Sequence, residues 1–277
     1  MPKPPISHFF DGIAALPAMP EVAQHLLATF GRENVSITEL ADLIGRDPSL
    51  TARLLRLANS ARHAPAQRVT RLREAALLVG VDALRGLALA AVLADSFPHP
   101  HGFDRPRFWR QNLATAGYAR WLAGCLDLDA GLAEVCGLVL RCGQVLMLQR
   151  EPGLTALIEA LSGTPDSVFD LERLHFGCTH ADVSAELALR WRFPIRMVDT
   201  LHTASDPLKA TPFSPEGAVL RAASVMADAA DDGFDPFTQL LACQPALVHG
   251  LGLDLEALAP GLPSHAVLTE PVNELMA

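Results

Sequence analysis

The sequence predicts an all-α protein, and three observations carry that prediction. Half of the residues are hydrophobic, with Ala and Leu dominant, and only 6% are aromatic. Strands prefer β-branched and aromatic side chains, so this balance favours helices. Apolar residues recur at spacings of three and four in stretches such as "LTARLLRLANSA" (50–61) and "ADVSAELALRWRF" (181–193), whereas no alternating pattern persists beyond a few residues. Helix-start signals are also frequent and well formed.

In chain order, Pro20 marks the start of a helix. Ser36-Ile-Thr-Glu39 has the form of a capping box, in which the serine accepts from the third amide and the glutamate reaches back. Asp47-Pro48 is a second start, with Asp as cap and Pro at the first helical position. Asn59 and Ser60 follow that helix, where a short polar side chain closes the last turn or begins the loop. Thr70 is expected to open the next helix and Gly80 to close it. Pro106, Pro194 and Pro215 mark later starts, and Thr179 followed by Asp182 suits the first turn of another. The stretch "SDPLKATPFSP" (205–215) reads as a long surface loop, and the tail from Gly261 as partly loose. No repeat of fixed period is present.

The best boundary is "FPHPHGFDRP" (97–106), with three prolines and a glycine between two helical patterns. It divides the chain into an N-terminal helical lobe, 1–97, and a second helical lobe with a C-terminal extension, 98–277. His99 and His101 in this stretch read as loop residues rather than metal ligands.

The 277 residues carry a formal net charge of −9, which argues against a general nucleic-acid coat. The five cysteines (Cys125, Cys136, Cys142, Cys178 and Cys243) form no Cys-x-x-Cys pair. They read as reduced, mostly buried thiols in a cytoplasmic protein. No signal-peptide core is visible. The longest apolar run, 86–94, ends at Asp95 and is too short to span a bilayer, so no membrane partner is expected. Charge is uneven: eight arginines lie between Arg46 and Arg85 against Asp47, Glu74 and Asp82. They are either solvated helix faces or a basic patch that docks an acidic protein or phosphate-bearing ligand.

The first half contains Leu16-Pro17, Met19-Pro20, Arg46-Asp47-Pro48, Ala58-Asn59-Ser60 and Leu78-Val79-Gly80 in that order. In these motifs the chain resembles the HDOD family, a branch of the HD phosphohydrolase superfamily found in bacterial signalling. The resemblance runs from about residue 10 to about residue 230. It implies a helical N-terminal lobe followed by a degenerate HD-like region. In catalytic HD proteins, histidines and aspartates from several helices gather metals that activate water for attack on a phosphoester.

Carried over position by position, that ligand set is incomplete here. A first histidine is expected just after "FWR", where this chain has Gln111. Aligning His-Asp-x-Gly-Lys on Gly143 places Leu140 at the histidine, Arg141 at the aspartate and Gln144 at the lysine. Leucine cannot ligate a metal, and arginine carries the wrong sign. His180 stands at a later histidine position, Asp228 at the last aspartate, and His202 near another histidine. The resemblance therefore implies a non-catalytic domain with no metal and no cofactor.

Arg141 remains to be explained, because it interrupts the apolar stretch "GLVLRCGQVLML" (137–148) and an unpaired buried charge is costly. The expectation is that its guanidinium pairs with Asp228, supplying charge where a metal would stand. Trp109 and Trp191 read as core anchors, and His25 and His175 as core or surface residues. Cys142 reads as an inert buried thiol.

The leading functional expectation is a signalling adaptor or scaffold that acts on a signalling protein in trans. Its docking patch would be Arg46, Arg53, Arg56, Arg62, Arg68, Arg71 and Arg73. The alternative is a nucleotide or other phosphate-bearing ligand in the relic pocket of Gln111, Leu140, Arg141, Gln144, His180, His202 and Asp228. Residual phosphohydrolase activity ranks below both.

Overall fold

A computed structural model describes residues 4–11, 19–30, 35–60, 68–97 and 103–276. All regular structure among them is helical. The chain forms two units: Pro17–Pro98 with Glu270–Ala277, and Met1–Leu16 with His99–Thr269. The division falls at the proline-rich stretch, but both chain ends cross over. Residues 4–11 belong to the larger unit and residues 270–276 to the smaller one.

The smaller unit holds α1 (Glu21–Thr29), α2 (Ile37–Ile44), α3 (Pro48–Ala58), α4 (Leu72–Val79) and α5 (Val81–Ser96). Ser36 caps α2 by accepting the Glu39 amide at 3.0 Å, and Asp47 caps α3 by accepting from Ser49 and Leu50. The Asn59 side chain donates to the Val69 carbonyl and accepts the Val69 amide, both at 2.8 Å. It thereby ties the end of α3 to the approach to α4. That helix starts at Leu72, later than the expected Thr70 cap. The reason is Glu74, whose carboxylate takes the amides of both Thr70 and Arg71. Gly80 has φ +92°, which glycine adopts without a steric penalty, and here α4 and α5 bend by 115°. Residues 88–94 of α5 are all buried, so α5 is the core helix of this unit.

The larger unit opens with a 3-10 turn, Ile6–Phe10, whose Phe9 packs edge-on against Phe176. Then come α6 (Arg105–Cys125), α7 (Ala130–Val139), α8 (Cys142–Arg150), α9 (Pro152–Leu161), α10 (Ser167–His175), α11 (His180–Arg190), α12 (Ile195–Ala204) and α13 (Pro215–Asp231). After these, α14 (Pro236–Cys243), α15 (Pro245–Gly250), α16 (Leu255–Leu258) and α17 (His265–Thr269) complete it. Trp109 is fully buried and Trp191 nearly so, while His25 is half exposed.

Two sequence expectations need correction. The stretch Ala130–Arg150 is long and apolar enough to cross a membrane by length and composition, which the interruption at 141–144 obscured; most of it is buried within the larger unit. The C-terminal tail is more ordered than expected. α17 packs on α6, and α18 (Val272–Met276) buries Val272 and Leu275 on α3 and α5.

Candidate functional site

The site lies where α8, α11 and α13 meet in the larger unit. α7 ends at Val139 and α8 begins at Cys142, leaving Leu140 and Arg141 between them, with Arg141 at φ −90° and ψ −1°. Gly143 sits in the first turn of α8 against the first turn of α11. A Cβ at Gly143 would come within 2.2 Å of the His180 carbonyl oxygen, so only glycine permits this approach. Ser184 secures it: its hydroxyl accepts the Gly143 amide and donates to the Leu140 carbonyl, both at 2.7 Å.

This packing directs Arg141 inward. Its side chain is only 3% exposed, and Nη2 donates to Asp228 Oδ1 at 2.7 Å and to Ser224 Oγ at 2.8 Å. Ser224 and Asp228 stand one turn apart on α13, so one face of that helix supplies both acceptors. Burial pushes the Asp228 carboxyl above the usual carboxylate range, while the charge and hydrogen bond of Arg141 pull it down.

His180 is wholly buried. Glu172 on α10 accepts both its backbone amide and its Nδ1–H at 2.7 Å. An ionised carboxylate can only accept, which places the proton on Nδ1. Nε2 is buried without a hydrogen-bond partner, as is Arg141 Nε. Thr179 and Asp182 cap α11 reciprocally, fixing the turn from which His180 projects.

The remaining predicted positions do not join this cluster as donors. Leu140 is buried and offers only its backbone carbonyl. Gln111 on α6 and Gln144 on α8 are half-buried. His202 is corrected outright: it lies on α12, 68% exposed, beside Asp182 at 3.2 Å. A metal does not fit here. Asp228 is occupied by Arg141, and among the described residues no three of His, Cys, Asp and Glu converge, so the free Nε2 of His180 lacks co-ligands. Cys142 is buried, and burial raises its thiol far above the ordinary range, as the inert reading requires.

Sequence reasoning missed Glu172, Ser184 and Ser224. The four-residue spacing of Ser224 and Asp228 was a usable signal. Nothing local linked Glu172 to His180, because a non-helical turn separates their helices.

The arginine patch belongs to the smaller unit. Arg46, Arg56, Arg68, Arg71 and Arg73 are exposed, and Arg62 lies outside the described residues. Arg53 is corrected. Its side chain is largely buried, donating to the Ala91 carbonyl and pairing with Asp95 at 3.1 Å, so it serves packing within the unit.

Comparison with known proteins places these features in a family, because the HDOD domain model matches residues 16–207. The chain belongs to the HDOD domain family. The chain is also similar to an uncharacterized protein of Treponema pallidum (strain Nichols), 29% identical over 196 residues. The alignment covers 69% of this chain but 38% of that relative, so the chain spans well under half its length. Among solved structures, this HDOD chain is similar to a candidate phosphohydrolase from Shewanella amazonensis SB2B, at 26% identity and TM-score 0.75, over 97% of this chain and 98% of that one. It also shares its fold with a candidate signal transduction protein from Marinobacter aquaeolei VT8, at 24% identity and TM-score 0.73, over 94% of this chain and 58% of that one. An HDOD domain protein from Geobacter sulfurreducens shares the fold at 21% identity and TM-score 0.67, over 98% and 96%.

Proposed function

We propose that this HDOD protein is a non-catalytic signal-transduction module that works as a protein-interaction adaptor or scaffold. The observation that carries the reading is Arg141. At a position where the HD resemblance expects a metal-binding aspartate, a guanidinium neutralises Asp228 instead. A fixed organic cation holds the helices together as a metal would, but it generates no hydroxide nucleophile. The exposed arginines of the smaller unit (Arg46, Arg56, Arg68, Arg71 and Arg73) are the docking surface for a signalling protein.

The test has two parts. Metal content of the purified protein by plasma mass spectrometry is expected to be well below one equivalent, with no turnover of bis-p-nitrophenyl phosphate in added manganese or iron. Stoichiometric metal, or turnover abolished by His180→Ala, would overturn the non-catalytic reading. The triple reversal Arg46→Glu, Arg71→Glu, Arg73→Glu is expected to abolish partner capture with the fold intact; undiminished capture would remove the patch from the proposal.

A second reading is favoured by the two buried, unpartnered nitrogens, Arg141 Nε and His180 Nε2. Arg141 Nε–H is a donor suited to a phosphate-bearing ligand, such as a nucleotide, that enters beside Asp228 without being hydrolysed, and His180 Nε2, with the ring proton on Nδ1, is an acceptor for a ligand hydroxyl. Saturable nucleotide binding by calorimetry, lost in Arg141→Met, would support it.

A further inference from the structure

The larger unit is acidic, with thirteen Lys and Arg against twenty-one Asp and Glu. Two short segments reverse that sign, and in the first, "RPRFWR" (105–110), Arg107 and Arg110 pair with Asp231 and Asp232. The second, "LRWRFPIR" (189–196), runs from the end of α11 through the turn to the start of α12 and holds three arginines. Trp191 and Phe193 face inward and stack at 6.0 Å, anchoring the turn. The Phe193 amide donates to the Ala188 carbonyl and the Arg192 amide to the Leu189 carbonyl, closing the helix end. With the aromatics fixed inside, Leu189 (51% exposed), Arg192, Ile195 (62% exposed) and Arg196 face solvent.

Three details separate this turn from ordinary surface. Single exposed aliphatic residues are common, but here two flank one tight turn, Leu189 at the end of α11 and Ile195 at the start of α12, each next to an arginine in sequence. Arg192 occupies the left-handed region at φ +59°, a position at helix ends that usually falls to glycine or asparagine, so a long cationic side chain is held there against backbone preference. Arg192 also has no carboxylate partner among the described residues, and the partners of Arg196, Asp129 and Glu216, are no closer than 3.7 Å. Arg190 is by contrast engaged, pairing with Glu186 at 2.7 Å and lying over the Phe10 ring.

We propose that this turn is a second docking surface, distinct from the arginine patch, and that it takes an acidic segment of a partner protein. Carboxylates of that segment engage Arg192 and Arg196, while one aliphatic or aromatic side chain covers Leu189 and Ile195. A protein segment fits better than an extended polyanion. A membrane or nucleic acid brings negative charge well beyond the turn, within a Debye length (about 10 Å) of a unit that is itself strongly negative. With the proposed patch on the other unit, two surfaces make this adaptor bivalent.

The test is a photo-crosslinking residue (benzoylphenylalanine) at Ile195 of the full chain, in the cells that naturally express it, with the adduct sequenced. The expected adduct is a segment of another protein rich in Asp and Glu with at least one Leu, Ile or Phe. Arg192→Glu/Arg196→Glu should reduce its yield at least tenfold with unchanged thermal unfolding, while the Arg46, Arg71 and Arg73 reversals leave it unaltered. A synthetic peptide of that segment should bind the purified protein in fluorescence anisotropy with the same dependence on Arg192 and Arg196. No adduct, an adduct to lipid, nucleic acid or a second copy of this chain, or a yield indifferent to the double reversal would overturn the proposal. Each of those outcomes leaves the reading of the first patch standing.

Discussion

Replacing Arg141 by methionine keeps an apolar stem of similar length and removes the cation. Asp228 is then left buried without its 2.7 Å partner. Breaking a buried pair in this way costs about 3–5 kcal/mol. A second route gives the same range. Asp228 can escape its unpaired charge by taking up a proton, and for a carboxyl whose unfolded pKa is about 3.9 that costs about 4 kcal/mol at pH 7. Burial already pushes this carboxyl up and Arg141 opposes it, so the variant raises it further. A carboxyl whose folded pKa is raised destabilises only above its unfolded value. The penalty therefore grows as pH rises from about 4 and shrinks at pH 4 to the lost hydrogen bonds, about 1–2 kcal/mol. Urea unfolding followed by tryptophan fluorescence reads the correct unit, since Trp109, Trp121 and Trp191 all lie in the larger one. Adding Asp228→Leu should recover most of the loss at pH 7. A penalty below about 1 kcal/mol at pH 7, or one equal at pH 4 and pH 7, would refute the claim that Arg141 exists to neutralise Asp228.

Gly143→Ala should destabilise the larger unit by about 3 kcal/mol, because the added methyl meets backbone of α11 rather than a movable side chain; a thermal shift of a degree or less would contradict this. Native alkylation with iodoacetamide should label Cys125 quickly and Cys243 more slowly, and spare Cys136, Cys142 and Cys178 until urea is added; mass spectrometry of the labelled peptides decides it. The Cys178 thiol, pushed up to about 12 by burial and by the charges of Asp182 and Glu172, gives the cleanest contrast with Cys125. Burial of Asp231 works against its ionisation, but hydrogen bonds from His265 and Arg110 and the charges of Arg110 and Arg107 hold it down to about 2. Its contribution is present above pH 4 and lost as pH falls from about 4 to 2. Because Arg107 and Arg110 are about 40% exposed, Asp231→Asn should cost only about 1 kcal/mol at pH 7 and flatten the acid limb of the stability curve.

The helical class and most helix starts were legible in the sequence because their causes are local. Ser36 and Asp47 cap the helices they precede, and Pro215 stands at the first position of α13. Thr70 misled because a side chain four residues further on, Glu74, took the free amides first. Residue types alone also excluded the Leu140 side chain as a metal ligand, since no fold can give it a donor atom. The sequence could not decide which charges meet. Arg141 and Asp228 are 87 residues apart, and only the approach of α8, α11 and α13 joins them, through a glycine contact that one methyl group would prevent. Arg53 and His202 show the same limit from the other side. Both have the right chemistry for a site, but tertiary packing spends one on Asp95 and turns the other to solvent beside Asp182. Local propensity fixes where helices begin, whereas burial and pairing of charge depend on which helix faces touch, and that is a property of the folded chain.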